Sequence, residues 1–198
     1  MKRAFCALLL LSGCATSGYD RMSAGQQQDV HRIETYLNGI GGMRAAFIQN
    51  GPDAGQSEGR FSYSPGHLRL DYVIPHPMEL VAGKGHLVLD DAGSGAVTHL
   101  SLKRNPLGLL LHQPIRFDNG SIQVTDVRHG DGSLQISVAE ADNPSQGLLT
   151  IQFSDMNGRL GLIGLEGVDA RQHHFSVSLS DVQEGVRIDP TVFTPPGG

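Results

Sequence analysis

The sequence predicts a mainly β chain of the α+β type: an antiparallel meander of about ten to eleven strands with two short helices. Three observations predict it. From Met43 onward apolar residues recur at period two, with polar residues between them. Gly, Asp, Asn and Pro punctuate the runs, as at Pro65-Gly66, Asp91 to Gly95, Asp131-Gly132 and Asn157-Gly158. Composition agrees: 26 Gly and 10 Pro against only 18% charged residues suit a turn-rich β domain.

The elements follow in order. Val30, Ile33, Leu37 and Ile40 stand at helical spacing, with Ser23 as N-cap and Gly39 as stop, so a helix precedes the sheet. Phe61 and Tyr63 then share one face, with Arg60 and Ser62 opposite. Leu68, Leu70, Tyr72 and Ile74 alternate with Arg69, Asp71 and Val73. Leu87 with Leu89, Leu100 with Leu102, and Ile122 with Val124 continue the pattern. Leu134, Ile136 and Val138, then Leu149, Ile151 and Phe153, then Phe175, Val177 and Leu179 complete it. In Asn105-Pro106-Leu107-Gly108-Leu109-Leu110-Leu111 a cap, a Pro at the first helical position and a leucine cluster predict the second helix.

The 198 residues fit one domain with a real core. No window of about 20 apolar residues exists, so no helix is expected to span a membrane. With 15 Lys+Arg against 20 Asp+Glu, net −5 and no basic stripe, a nucleic-acid partner is not expected. The chain is expected to act as a monomer.

The N-terminus carries a different signal. Lys2 and Arg3 precede a short apolar run, Ala4 through Leu11, which together form a secretory signal. The run ends in Leu11-Ser12-Gly13-Cys14, which resembles the bacterial lipobox and implies cleavage before Cys14 and lipidation of Cys14. Residues 1–13 are then the signal peptide, 14–28 the lipid anchor and a small polar tether, and 29–198 the functional domain. Two acyl chains suffice for stable anchoring, and by resemblance to bacterial lipoproteins Ala15 favours the outer membrane, periplasmic face. The alternative is a plain signal peptide and a soluble periplasmic protein. Cys6 lies in the removed segment, which leaves no pair for a disulfide.

Catalytic patterns do not assemble. His173-His174 on a strand point to opposite faces and cannot share one ion. His76, His86, His99, His112 and His129 scatter among turns and strand ends, as solvated or structural groups. Gly93-Ser94-Gly95 sits in a hairpin turn rather than a nucleophile elbow. The carboxylates Glu140 and Asp142, or Asp90 and Asp91, fall at strand ends, where they would keep edges and turns solvated. Gly39, Gly41 and Gly42 lack a phosphate-loop context. No enzyme activity, cofactor or metal is expected.

What remains is a large one-sided apolar sheet that one helix cannot cover. Either the sheet closes on a filled core, or its concave face receives an apolar guest. An aliphatic wall suits a guest without fixed shape, such as an acyl chain.

Four segments carry a family resemblance. The stretch from Gly59-Arg60-Phe61 through Pro65 and Arg69 to Tyr72 is followed by Pro75, Pro77 and Leu80 to Leu87. Asn105 to Leu111 comes next, then Leu179 to Val186 and Asp189 to Pro196. In order and spacing this set resembles the LolA family of periplasmic outer-membrane lipoprotein carriers across nearly all of Val30 to Pro196. The resemblance implies an incomplete antiparallel β-barrel with a helical lid over an apolar cavity. The guest would be lipoprotein acyl chains, received from an inner-membrane exporter or soluble carrier, and passed to the anchored acceptor LolB, which shares the fold.

On this basis the cavity is expected to be lined by Phe47, Phe61, Leu68, Leu70, Tyr72, Leu87, Leu89, Leu100, Ile136, Ile151 and Phe153, with Leu107, Leu110 and Leu111 from the lid. Two departures stand out. Ser64 occupies the position of the family arginine that ties lid to barrel, and strand alternation turns Arg69 to the opposite side from Leu68 and Leu70. The lipobox gives the chain an acceptor's anchor, while the Ile74-Pro75-His76-Pro77 connection lacks the leucine that the acceptor inserts in lipid. Other expectations that remain open are binding of another envelope lipid, such as a phospholipid or glycolipid, and a structural envelope lipoprotein with no ligand.

Overall fold

The computed structural model describes residues 18–51, 55–102, 106–118, 122–169 and 172–196; Cys14 and the signal segment lie outside them. After a 3-10 turn at Tyr19–Arg21, helix α1 runs from Ala24 to Gly39. Ser23 caps it as the sequence predicts. Its Oγ accepts from the Gln26 backbone N–H at 3.3 Å and the Gln26 Oε1 accepts from the Ser23 N–H at 3.1 Å, a reciprocal capping box. Val30, Ile33, Leu37 and Ile40 are all buried. Tyr19 and Met22 also pack on the core, and the Gln27 side chain donates to the Tyr19 carbonyl at 3.2 Å. The stretch from Tyr19 is therefore folded, against the expectation of a tether through residue 28; these apolar contacts outweigh the chain entropy a free tether would keep.

Eleven strands follow: β1 (Met43–Asn50), β2 (Gln56–Ser64), β3 (His67–Ile74), β4 (Met78–Gly83), β5 (His86–Asp91), β6 (Ala96–Ser101), β7 (Ile122–Gly130), β8 (Ser133–Glu140), β9 (Gly147–Met156), β10 (Arg159–Asp169) and β11 (His174–Glu184). Helix α2 (Pro106–Leu110) lies between β6 and β7. The strands form one sheet in the order β6-β5-β4-β3-β2-β1-β11-β10-β9-β8-β7, antiparallel throughout. Two meanders thus meet where β1 pairs β11, leaving β6 and β7 as edges, so the barrel is incomplete.

Hairpin chemistry sets the register. Asn157 and Gly158 both have positive φ, +54° and +78°, which gives the β9–β10 turn the twist its strands need. The Asp91 carboxylate accepts from the Gly93 N–H, the Ser94 N–H and the Ser94 hydroxyl; those bonds, the Ser94 hydroxyl first, hold it below the usual carboxylate range. Gly93-Ser94-Gly95 is a turn, as expected.

Met43, Phe47, Leu134, Ile136, Val138, Ile151 and Phe153 fill the inner face and are almost wholly buried, with Val30 and Ile33 of α1 against them. A second, small cluster on the outer face joins Val81 to Ile188 and Phe193 of the C-terminal segment. Arg69 faces this side, as alternation predicts. It pairs with Asp71 and Glu79 at 2.6 and 2.9 Å and donates to the Val192 carbonyl at 3.2 Å.

Two expectations need correction. Leu100 is 53% exposed, because β6 is an edge strand open on both faces, while Leu102 just beyond it is buried against Gly108, where a Cβ would collide with the Leu102 carbonyl. Glu140 is not a solvated strand end. It continues the inward series Leu134, Ile136, Val138, is 8% exposed, and its Oε2 has no hydrogen-bond partner among the described residues.

Candidate functional site

Between α1, α2 and the inner face of the sheet lies an apolar cavity of about 300 Å³, at the lower end of the range for ligand sites. Its floor is built by alternation: Phe61 on β2, Leu68, Leu70 and Tyr72 on β3, Ile151 on β9. Its roof is Leu107 and Leu110 of α2 with Leu111. These eight are residues the sequence nominates. The same alternation supplies others it did not: Tyr63 beside Phe61, Leu149 beside Ile151, and Phe175 with Val177. The α1 face adds Leu37 and Ile40, and the loop after α2 adds Ile115.

The remaining nominations lie elsewhere. Phe47 is buried behind Tyr72, the rings edge to face at 5.1 Å. Phe153 meets Tyr36 of α1 in the same manner at 5.6 Å. Ile136 is fully buried in the core, and Leu87 and Leu89 pack on the sheet without reaching the cavity. Leu100 is on the same face as its cross-strand partner Leu87 but lies exposed at the sheet edge, away from the cavity.

The wall contains very little that is polar. Gln49 accepts from the Tyr72 hydroxyl at 2.8 Å, and the Gln113 side chain donates to the Tyr63 hydroxyl at 3.2 Å. Burial pushes the Tyr72 phenol up to about 12 and raises that of Tyr63, so both remain protonated at neutral pH.

The lid is fastened by residues the sequence left unremarked. Ser64 makes no side-chain hydrogen bond among the described residues, so the family arginine has no counterpart there. Instead Arg32 reaches from α1 to Asp155 at the end of β9, at 2.7 and 2.8 Å, and to Asp29 at 3.0 Å. The Tyr36 hydroxyl accepts from the Leu162 N–H at 2.8 Å and donates to Glu184. The Asn38 amide exchanges two bonds with the Ile115 backbone, at 2.8 and 2.9 Å, and Glu34 accepts from the Phe117 N–H at 2.5 Å. A sequence signal existed: Asp29 and Arg32 stand three apart on the polar side of the helix.

Hydrogen bonding from Arg32 holds the Asp155 carboxyl below the usual carboxylate range. Because folding lowers this pKa, its contribution is present above the ordinary carboxylate value and is lost as pH falls through the lowered one. Arg32→Met is expected to cost about 1–2 kcal/mol at pH 7, since the pair is largely shielded, its side chains 26% and 5% exposed. The deficit should shrink as pH falls below the ordinary carboxylate value and through the lowered one, where Asp155 becomes protonated in wild type as well. Urea unfolding in a series from pH 7 toward acid measures both; a deficit that stays constant down to the most acidic pH at which both proteins fold would contradict it.

The histidines take structural places. His76 lies 2.7 Å from Asp91, and His129 lies 3.2 Å from Asp29. At the β3–β4 connection Val73 and Ile74 are 61% and 47% exposed, so apolar surface is offered there without a leucine.

An open antiparallel sheet that keeps an aliphatic hollow beneath its helices is a container fold. Sequence comparison names the kind. Residues 38–196 match the family described as outer membrane lipoprotein carrier protein LolA, and the chain belongs to that family. No curated protein matches it in sequence. Among solved structures it is similar to a DUF1329 family protein from Desulfovibrio piger, at 8% identity and TM-score 0.51, over 89% of this chain and 95% of that one. A conserved protein from Thermus thermophilus aligns at 7% identity and TM-score 0.50, over 87% and 95%. A LolA superfamily protein from Nitrosomonas europaea aligns at 12% identity and TM-score 0.42, over 85% and 97%. Membership makes the chain a carrier or binding protein of the cell envelope.

Proposed function

We propose that the protein binds the acyl chains of lipoproteins in its cavity and takes part in their delivery to the outer membrane, anchored there through Cys14 as a carrier or acceptor. The observation that carries this is the cavity wall: of the twenty residues around it, only Gln49 and the hydroxyls of Tyr63 and Tyr72 are polar. Such a wall rewards apolar area and imposes little direction on its guest.

Hand-over requires the net affinity to stay modest. Burying a whole acyl chain at about 0.8 kcal/mol per methylene would exceed 10 kcal/mol and trap the guest. Opening the cavity must therefore cost free energy, and the bonds from α1 to Asp155, Leu162 and Ile115 supply that cost.

The test is transfer. Purified protein incubated with a triacylated lipoprotein and acceptor vesicles should retain the lipoprotein and then release it to the vesicles. Mass spectrometry of the extracted guest identifies it: a phospholipid or glycolipid in its place moves the function to another envelope lipid, and no guest with no transfer removes the proposal. Labelling cells with a palmitate analogue should mark wild type and spare Cys14→Ser; equal labelling would remove the anchor.

A further inference from the structure

We infer that the Gln49–Tyr72 pair is the polar end of the cavity, receiving the acyl oxygen of the bound chain, whose tail runs from there to beneath the helices. The inference rests on the acyl-chain function proposed above and assigns its direction.

Tyr72 is 8% exposed, and its hydroxyl donates to the Gln49 Oε1 at 2.8 Å. That bond consumes the phenol proton and the amide oxygen. The Gln49 NH2 group then has no acceptor among the described residues, on a side chain that lines the cavity. Turning the amide over changes only which proton is left, since the phenol would then accept and keep its own. In either arrangement the pair presents a donor to a space walled by hydrocarbon apart from the Tyr63 hydroxyl, which accepts from Gln113. Gln49 is only partly buried, so its spare donor can meet a guest, and an acyl carbonyl or carboxylate oxygen is the acceptor that a lipid chain brings.

The direction follows from what lies at each end. Gln49 is six residues along β1 from Met43, which lines the other end beside Leu37 and Ile40, a span of about 20 Å at strand rise. One bilayer leaflet is about 15 Å of hydrocarbon, so a single chain starting at Gln49 reaches about three quarters of the way and ends beneath the helices. Beyond Gln49 the surroundings gain polar groups, although Leu148 and Val168 stand among them. Asn50, Thr150, Glu166, His174 and Ser176 line a groove of about 450 Å³ on the outer side of the sheet, and Phe175 belongs to the wall of both hollows. The hydrophilic part of an amphiphile has room there, whereas the Tyr63 end is enclosed by α1, Leu111 and Ile115.

Three probes separate the possibilities: cis-parinaric acid, its methyl ester, and diphenylhexatriene, which is of similar length without oxygen. Gln49→Leu should weaken the acid and the ester about fivefold, the size expected for one neutral hydrogen bond, and change diphenylhexatriene less than twofold. Tyr72→Phe should reproduce the split more weakly, since Tyr72 positions Gln49. Loss for the acid alone identifies a free carboxylate as the group bound; loss for both identifies the carbonyl common to acid and ester. An equal change for all three probes, or none for any, overturns the inference. So does an oxygen-dependent loss at Tyr63→Phe in place of Tyr72→Phe, which would reverse the chain. Wild type binding none of the probes would instead overturn the acyl-chain function itself.

Discussion

Leu70→Glu is expected to abolish acyl-chain binding in a protein that still folds. Leu70 sits near the middle of β3, 7% exposed, with its side chain in the cavity wall between Leu68 and Tyr72. A carboxylate there can stay hydrated only while the cavity holds water. An entering chain must strip that water or force the acid to protonate, and either costs several kcal/mol. A loss of at least about 100-fold in probe affinity follows, about 2.7 kcal/mol. Stability should fall by about 2–4 kcal/mol through lost apolar burial, which far-ultraviolet circular dichroism and urea unfolding would register. Fluorescent fatty-acid titration decides the matter: a folded variant with wild-type affinity would show that the hollow is not where chains bind.

The fold was legible in the sequence wherever one periodicity ran unbroken, and lost where geometry interrupted it. Helix α1 needed only its cap and four apolar positions, all local. β3, β8 and β9 alternate cleanly and are buried on the side that alternation implies. β10 is hidden because Leu160 and Leu162 keep step but a bulge at Leu162/Gly164 shifts the phase before Leu165, and glycines occupy intervening positions. β4 is masked by the prolines before it, which end one strand and precede the next. Leu100 and Leu102 share a phase yet differ completely in burial, since what covers a strand is decided by sheet order and not by the strand itself. For the same reason alternation named the inward residues of the candidate site without separating those facing the cavity from those packed beneath the helix. The fastening of α1 was beyond reach, because Arg32 and Asp155 are 123 positions apart.

That separation of cavity from core gives Phe153 an expected behaviour opposite to that of Leu70. Phe153 is fully buried; it pairs across strands with Leu134 and Leu162 and meets the Tyr36 ring of α1 edge to face. Phe153→Ala removes a packed ring from a site that sheet and helix hold too rigidly to collapse. About 3–5 kcal/mol of stability should be lost, of which roughly 1 kcal/mol is the aromatic pair. At about 2–4 °C per kcal/mol for a chain of this size, the melting temperature should drop by about 6–20 °C. Phe153 does not line the cavity, so below the new melting temperature the affinity for a fatty-acid probe should stay within about twofold of wild type. Calorimetry and probe titration on one sample measure both. If folded Phe153→Ala loses the probe as Leu70→Glu does, then packing of α1 on β9 shapes the cavity directly. The boundary between core and binding wall would then lie one layer deeper than Ile151.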